Sequence, residues 1–188
     1  MSFMIKPQTT GGIESTLVYW LAQEISHLNH IFITRYIPRT SRTFDQMEQA
    51  NRSGKQNLVE GSLENSVESN LKLSGVSRAS YGELVEDYKD FLFKKGLPVW
   101  DKNDPRVLRL RKILIDTHEP HVSHGSHEWH GIHFDAPEGF ANLMMTLCIK
   151  QGFLMDRFLE GIKNRFIREG GFRENLFKKR AEYRNGRG

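Results

Sequence analysis

The chain has 188 residues, of which 27 are Lys or Arg and 23 are Asp or Glu, so its formal charge is +4 with neutral histidines. A chain of this length buries a substantial core in one domain of ordinary size. Its single cysteine, Cys148, excludes a disulfide framework and indicates a reducing compartment. No apolar run approaches the roughly 18 residues of a membrane span, and the N-terminus lacks the pattern of a secretory signal. We therefore expect a cytoplasmic protein with no membrane partner.

The first predicted helix covers residues 15–37 and follows residues 1–14, which we expect to form a disordered arm. Its apolar residues recur at spacings of three and four, which places them on one face of an α-helix. These residues are Leu17, Leu21, Ile25, Leu28 and Phe32. Pro38 follows and ends the pattern.

Two further helices are predicted over residues 41–61 and 66–95. The second helix has a stripe of small and apolar residues, and the third has two apolar lines that indicate two neighbours. The stripe of the second helix is Phe44, Met47, Ala50, Gly54, Leu58 and Gly61. One line of the third helix is Val67, Leu71, Gly75, Gly82, Val85 and Leu92. The other line is Leu73, Val76, Leu84, Tyr88 and Phe91. Gly54 and Gly61 are seven residues apart, as are Gly75 and Gly82. We expect the two helices to cross closely at these glycines.

The remaining chain predicts a short basic helix after Asp104, a loop over residues 116–137, and the longest helix over residues 138–169. Residues 170–188 form a basic suffix with the pattern of a turn or short helix. We find no strand of convincing length. The sequence therefore predicts an all-α protein: an antiparallel up-down-up-down four-helix bundle over residues 15–169, with a short C-terminal helical extension.

The loop contains a histidine at every third position. These weak candidates for zinc or nickel ligands are His118, His121, His124, His127, His130 and His133. An extended loop presents residues with this period on one side, but successive histidines then lie about 9 Å apart, too far to share one ion. No cysteine or acidic partner joins them. The pattern favours a flexible loop of low complexity that holds no metal over a specific metal site.

Charge is unevenly distributed: residues 1–149 have 16 Lys or Arg against 18 Asp or Glu, whereas residues 150–188 have 11 against 5. Cations neutralise phosphates, and the aromatic side chains among them stack on unpaired bases. Alternatively, the aromatic residues dock the suffix on the bundle and the charges only keep it soluble. The candidate nucleic-acid-binding residues are Arg157, Lys163, Arg165, Arg168, Arg173, Lys178, Lys179, Arg180 and Arg184.

Motifs for catalysis are absent from the sequence. Residues 52–55 read Arg-Ser-Gly-Lys, but Gln49 and Gln56 replace the first glycine and the Ser or Thr of a phosphate-binding loop. Glu24 and His27 have the spacing of half a di-iron motif, yet the sequence has no second copy. We therefore expect a protein that is not an enzyme and needs no cofactor.

Residues 46–61 resemble a bacterial four-helix bundle family whose members include proteins encoded in intervening sequences of large-subunit ribosomal RNA genes. Its distant relatives are the accessory variability determinants of diversity-generating retroelements. The matched positions are Ala50, Arg52, Ser53, Asn57, Leu58, Glu60 and Gly61. Residues 96–106 and 166–176 look like the longer members, which have a four-helix-bundle suffix domain.

This resemblance implies a bundle that assembles as a ring, commonly a homopentamer, without activity of its own. In the retroelement branch such a ring binds a reverse transcriptase and nucleic acid. It also implies structural roles for the motif: Gly61 and Asn57 at a helix end and a turn, Ser53 beside them, and Arg52 and Glu60 in buried or inter-subunit pairs. The hypothesis that follows is an oligomeric accessory protein that binds RNA or DNA. The alternative is a protein-interaction scaffold that binds no nucleic acid.

Overall fold

A computed structural model describes residues 12–113 and 126–186. In these two ranges the regular elements are helices apart from one short hairpin, which confirms the predicted all-α class. The chain enters through a 3₁₀ turn at Ile13–Ser15. The elements that follow are α1 (Leu17–Tyr36), α2 (Arg42–Leu63), α3 (Val67–Lys95), α4 (Pro105–Lys112), β1 (Glu128–Trp129), β2 (Ile132–His133), α5 (Pro137–Glu169) and α6 (Phe172–Asn185).

Helices α1 to α4 begin at residues whose side chains cap free backbone N–H groups. The Thr16, Ser41 and Ser66 hydroxyl oxygens accept hydrogen bonds from backbone amides three residues later, at 3.2 to 3.4 Å. Asp104 caps α4 by accepting from the Arg106 amide at 2.8 Å. Such caps each stabilise a helix by about 1 kcal/mol. The long predicted helices are therefore confirmed, with ends that differ by one or two residues.

The core lies among four long helices, in which α1 contacts α2 and α5, and α3 also contacts α2 and α5. Phe32 is at the centre of an aromatic cluster, with its ring centroid 4.9 Å from those of Tyr88 and Phe91 and 5.3 Å from that of Phe140. Most residues of the predicted apolar stripes of α1, α2 and α5 are buried. The fully buried ones are Leu21, Ile25, Leu28, Phe32, Met47, Leu58, Phe140, Met144, Leu147 and Met155.

Only one of the two predicted glycine pairs lies where α2 and α3 approach closely. A Cβ atom on Gly54 would lie 2.9 Å from Cζ of Tyr81, and one on Gly61 would lie 3.2 Å from Oγ of Ser74. A Cβ on Gly75 would meet no atom within 4 Å, and one on Gly82 would meet only Arg78 of its own helix. The expectation that both pairs face each other was therefore wrong.

The first half of α3 faces α2 with polar residues instead of the predicted apolar lines. Ser74, Ser77 and Asn70 are buried, whereas Val76 is 42% exposed. The Ser77 hydroxyl donates to the Gly54 carbonyl oxygen at 2.6 Å. Small hydroxyl side chains bring the two backbones together and supply the hydrogen bonds that a buried polar surface requires.

The end of the predicted loop forms a hairpin that the sequence analysis did not anticipate. Strands β1 and β2 are antiparallel, with Trp129 opposite Ile132, and both residues are buried together with Phe134. The Phe134 ring stacks on Phe140 with centroids 4.5 Å apart. The Tyr36 hydroxyl donates to the Phe134 carbonyl oxygen at 2.5 Å. Apolar residues therefore dock this segment on α1 and α5.

None of the helices in the two described ranges combines the length and the hydropathy that a membrane-spanning segment requires.

Alanine substitutions at Gly54 and at Gly75 test whether only the glycine of α2 lies against the neighbouring helix. Alanine favours a helix over glycine by roughly 0.5–1 kcal/mol, but at Gly54 its Cβ would overlap the buried Tyr81 ring, and overpacking costs about 1–3 kcal/mol. We expect Gly54→Ala to lower the free energy of unfolding and Gly75→Ala to raise it, measured by urea unfolding at one protein concentration. Stabilisation by both substitutions would contradict this packing.

Candidate nucleic-acid interface

Helix α6 projects from the end of α5 and has no buried residue. Its direction is set at Gly170, which adopts a φ of 74°, and at Gly171, whose amide donates to the Glu174 carboxylate at 3.1 Å. Glu68 of α3 lies next to this joint. A hydrogen bond from Ser66 lowers the pKa of Glu68, and the positive charge of Arg173 lowers that pKa further. The suffix predicted as a turn or short helix is a helix of 14 residues.

The nine predicted phosphate-binding residues, which we call the C-terminal cations, lie on the last part of α5 and on α6. All nine are exposed. Among the side chains that the structure describes, which do not include that of Glu169, no carboxylate forms an ion pair with them. By contrast, Arg78 in α3 pairs with Asp156 of α5 at 2.9 Å. The C-terminal cations are therefore available to an external anion.

The cations of α6 divide between two faces. Arg173, Arg180 and Arg184 are separated by seven and four residues, which places them within about 40° of one another around the helix. Leu176 and Phe177 line the same shallow groove as these arginines, which we call the arginine face. Lys178 and Lys179 lie on the other side of the helix.

Phe172 and Phe177 of α6 are largely exposed, at 52% and 75%. This exposure argues against the alternative in which these two rings fix the suffix to the bundle. Exposed rings next to arginines are typical of a surface that binds a partner.

The motif that led to the family resemblance lies within α2. Asn57 donates to the Ser53 backbone carbonyl at 2.9 Å and to its hydroxyl oxygen at 3.1 Å, and Arg52 donates to Gln56 at 3.2 Å. Arg52 and Glu60 are both exposed, so they do not form a buried pair. Their inter-subunit pairing stays a prediction.

One of the two roles that the resemblance implied differs from the observed positions in α2. Gly61 lies in the last turn of the helix, buried against Asn70 and Ser74, and its carbonyl oxygen accepts from the Glu64 amide at 3.3 Å. Asn57 is in the interior of the helix, bonded to Ser53, and not in a turn.

The histidines fall into two groups. His118, His121 and His124 are outside the described ranges. His127, His130 and His133 are exposed residues in or next to the hairpin, and His133 Nδ1 is 3.4 Å from Glu128 Oε2 across it. Within residues 12–113 and 126–186, no three His, Cys, Asp or Glu side chains are grouped as metal ligands.

The sequence analysis missed an acidic face on α3 formed by Glu83, Asp87 and Asp90. Spacings of four and three residues place these carboxylates on one side of the helix. The pKa of Asp87 is raised to about 6, first by partial burial and then by the charges of Asp90 and Glu83, whereas Lys94 lowers it. Asp90 of this face also pairs with Lys94 at 3.7 Å. The regular spacing was visible in the sequence and was the signal for this face.

Comparisons of the chain with protein-family models, with curated proteins and with solved structures gave no match.

The docking of the hairpin generates a prediction about its stability. Phe134 is fully buried on Phe140, whereas His127 of the same segment is exposed. We expect Phe134→Ala to lower the free energy of unfolding by about 3 kcal/mol. The matched His127→Ala should change it by less than about 0.5 kcal/mol. Equal effects of the two substitutions in urea unfolding would contradict the docked hairpin.

Proposed function

We propose that the protein is a non-enzymatic, homo-oligomeric accessory protein that binds nucleic acid through its C-terminal cations. The observation that supports this proposal is the exposure of all nine cations, none of which forms an ion pair with a carboxylate whose side chain the structure describes. The charge of Arg173 acts on the nearby Glu68 without an ion pair. A surface of this kind attracts phosphates and releases their counterions.

The proposal includes an antiparallel up-down-up-down topology for α1, α2, α3 and α5. Connections of a few residues join α1 to α2 and α2 to α3, and short connections favour antiparallel neighbours. The contacts of α1 with α5 and of α3 with α5 would then close the bundle. In this arrangement the C-terminal cations extend from one end of the bundle.

RNA or another nucleic acid with unpaired bases is the ligand class that fits α6. Phe172 and Phe177 are exposed beside its arginines, and aromatic rings bind unpaired bases by stacking, whatever the base. Phosphate contacts from lysines and arginines supply affinity without reading sequence. We therefore expect binding that depends on salt and discriminates little between sequences.

The family resemblance extends the proposal to partners and location. It favours a cytoplasmic homopentamer and a reverse transcriptase of a diversity-generating retroelement as the protein partner. Residues 150–188 have a net charge of +6, so a ring of about five copies would surround its axis with roughly 30 positive charges.

A protein-interaction scaffold is the second candidate function. Phe93, Leu63 and Ile167 are 86%, 76% and 77% exposed, on three different helices, and exposed apolar side chains favour protein partners. In this function the C-terminal charges have no ligand. A protein partner that is retained in a pull-down after nuclease treatment and at high salt would favour this alternative.

Salt-dependent anisotropy titrations with labelled RNA test the proposed function. We expect affinity to fall steeply between about 50 and 200 mM salt, because each phosphate contact releases counterions. Replacing Lys163, Arg165 and Arg168 by Gln should reduce the slope of log affinity against log salt by about 2 for single-stranded RNA.

The matched control removes the same charge from exposed cations elsewhere, by replacing Arg39, Arg42 and Lys102 with Gln. We expect this control to leave the salt slope unchanged. Absence of binding at 50 mM salt, or an equal loss in both triple variants, would overturn the proposal.

A further inference from the structure

A groove runs between α2 and α3 on the outside of the bundle, next to the acidic face of α3. Small residues line its floor, among them Ala50, Ser53, Ala79 and Ser80. It has a volume of about 580 Å³ and continues into a second cavity through Gln46 and Asp87. A floor of small side chains allows another helix to approach closely.

The dimensions of this groove match those of α6. From Val76 to Asp90 the groove follows 14 residue steps along α3, a length of about 21 Å. Helix α6 has 14 residues and is therefore also about 21 Å long. Val76, which is 42% exposed, adds an apolar side chain at one end of the groove.

The charges of the two surfaces are complementary in sign and spacing. Arg173 and Arg180 are seven residues apart on the arginine face, and Glu83 and Asp90 are seven residues apart on the acidic face. A spacing of four residues also occurs in both, between Arg180 and Arg184 and between Glu83 and Asp87. Two such helices that lie side by side therefore form at least two pairs of opposite charges.

Within its own chain α6 does not occupy this groove, because none of its residues is buried. The groove residues Glu83 and Asp90 are exposed. Both surfaces are thus unfilled, and their features are complementary: the groove has small residues and the carboxylates of Glu83, Asp87 and Asp90, of which Asp90 also pairs with Lys94 at 3.7 Å. Helix α6 has arginines and exposed apolar side chains.

We propose that the arginine face of α6 docks in the α2–α3 groove of a second copy of this chain. The helix and the groove are different surfaces, so the contact is head-to-tail, and repeated contacts either close into a ring or extend as a filament. This inference rests on the homo-oligomer of the proposed function and names the surfaces that form it. The contact covers the arginine face and Phe177, so in the assembly phosphates are bound by Lys178, Lys179 and the cations of α5, which remain outside it.

Charge reversal on each surface tests the contact. Reversing the helix with Arg173→Glu and Arg180→Glu, or the groove with Glu83→Arg and Asp90→Arg, places like charges together. Each variant should weaken self-association about 100-fold, measured by light scattering after size exclusion and by native mass spectrometry. The control Lys178→Glu with Lys179→Glu changes the charge of α6 by the same amount on its other side and should leave assembly intact.

Mixing the helix variant with the groove variant distinguishes docking between chains from docking within a chain. Every contact between the two variants is again between opposite charges, so mixing should restore association in filaments and in rings with an even number of subunits. A closed ring of five cannot alternate two variants, so a chain with all four substitutions, the fourfold variant, tests that assembly. It has the original net charge and should assemble by itself. Unchanged assembly of either reversed variant, or failure of both the mixture and the fourfold variant to assemble, would overturn the inference.

RNA binding by the same variants separates this inference from the proposed function. If the groove reversal breaks assembly while the wild type binds no RNA, the inference holds and the proposed function fails. If the wild type binds RNA and the groove reversal leaves assembly intact, the proposed function holds and the inference fails.

Discussion

The close packing of α2 against α3 is the constraint on which the rest of the structure depends. Tyr81 fills the space above Gly54, and Ser77 ties α3 to the Gly54 carbonyl oxygen. This contact fixes which side of α3 turns inward. The opposite choice would bury Glu83 and Asp87 and expose Tyr88, whose hydroxyl donates to Asn29 of α1 at 2.6 Å. One polar helix interface therefore determines both the aromatic core and the position of the acidic face.

The sequence predicted the helices well because their signals are local and repeated. Leu21, Ile25, Leu28 and Phe32 keep the helical period, and the N-terminal caps follow from single residues. The buried face of α3 was not predicted, since serines are common on exposed surfaces. Ser77 is buried because the Gly54 carbonyl oxygen of α2 accepts its hydrogen bond, and Ser74 is buried because Gly61 of α2 lies against it. Contacts with another helix do not affect the local period of apolar residues, from which the buried faces were predicted.

The candidate site was predictable in composition but not in arrangement. The cations of residues 150–188 were evident from the sequence, whereas their division on α6 between the arginine face and the lysines depends on the helix that Gly171 and Glu174 begin. The histidine period indicated a loop, and the burial of Trp129, Ile132 and Phe134 within it was not predicted. These residues alternate over too few positions to predict strands, and only contact with Phe140 and Tyr36 gives them a fixed place.

The joint between α5 and α6 has a consequence for symmetry. Gly170 combines a φ of 74° with a ψ of 174°, a conformation that is essentially restricted to glycine. A Cβ there would lie 2.5 Å from the Glu174 carboxylate that starts α6. In an assembly that is built through α6, the angle at this joint sets the rotation from one subunit to the next. A single backbone torsion would then determine how many copies complete a turn, and whether the turn closes or rises into a helix.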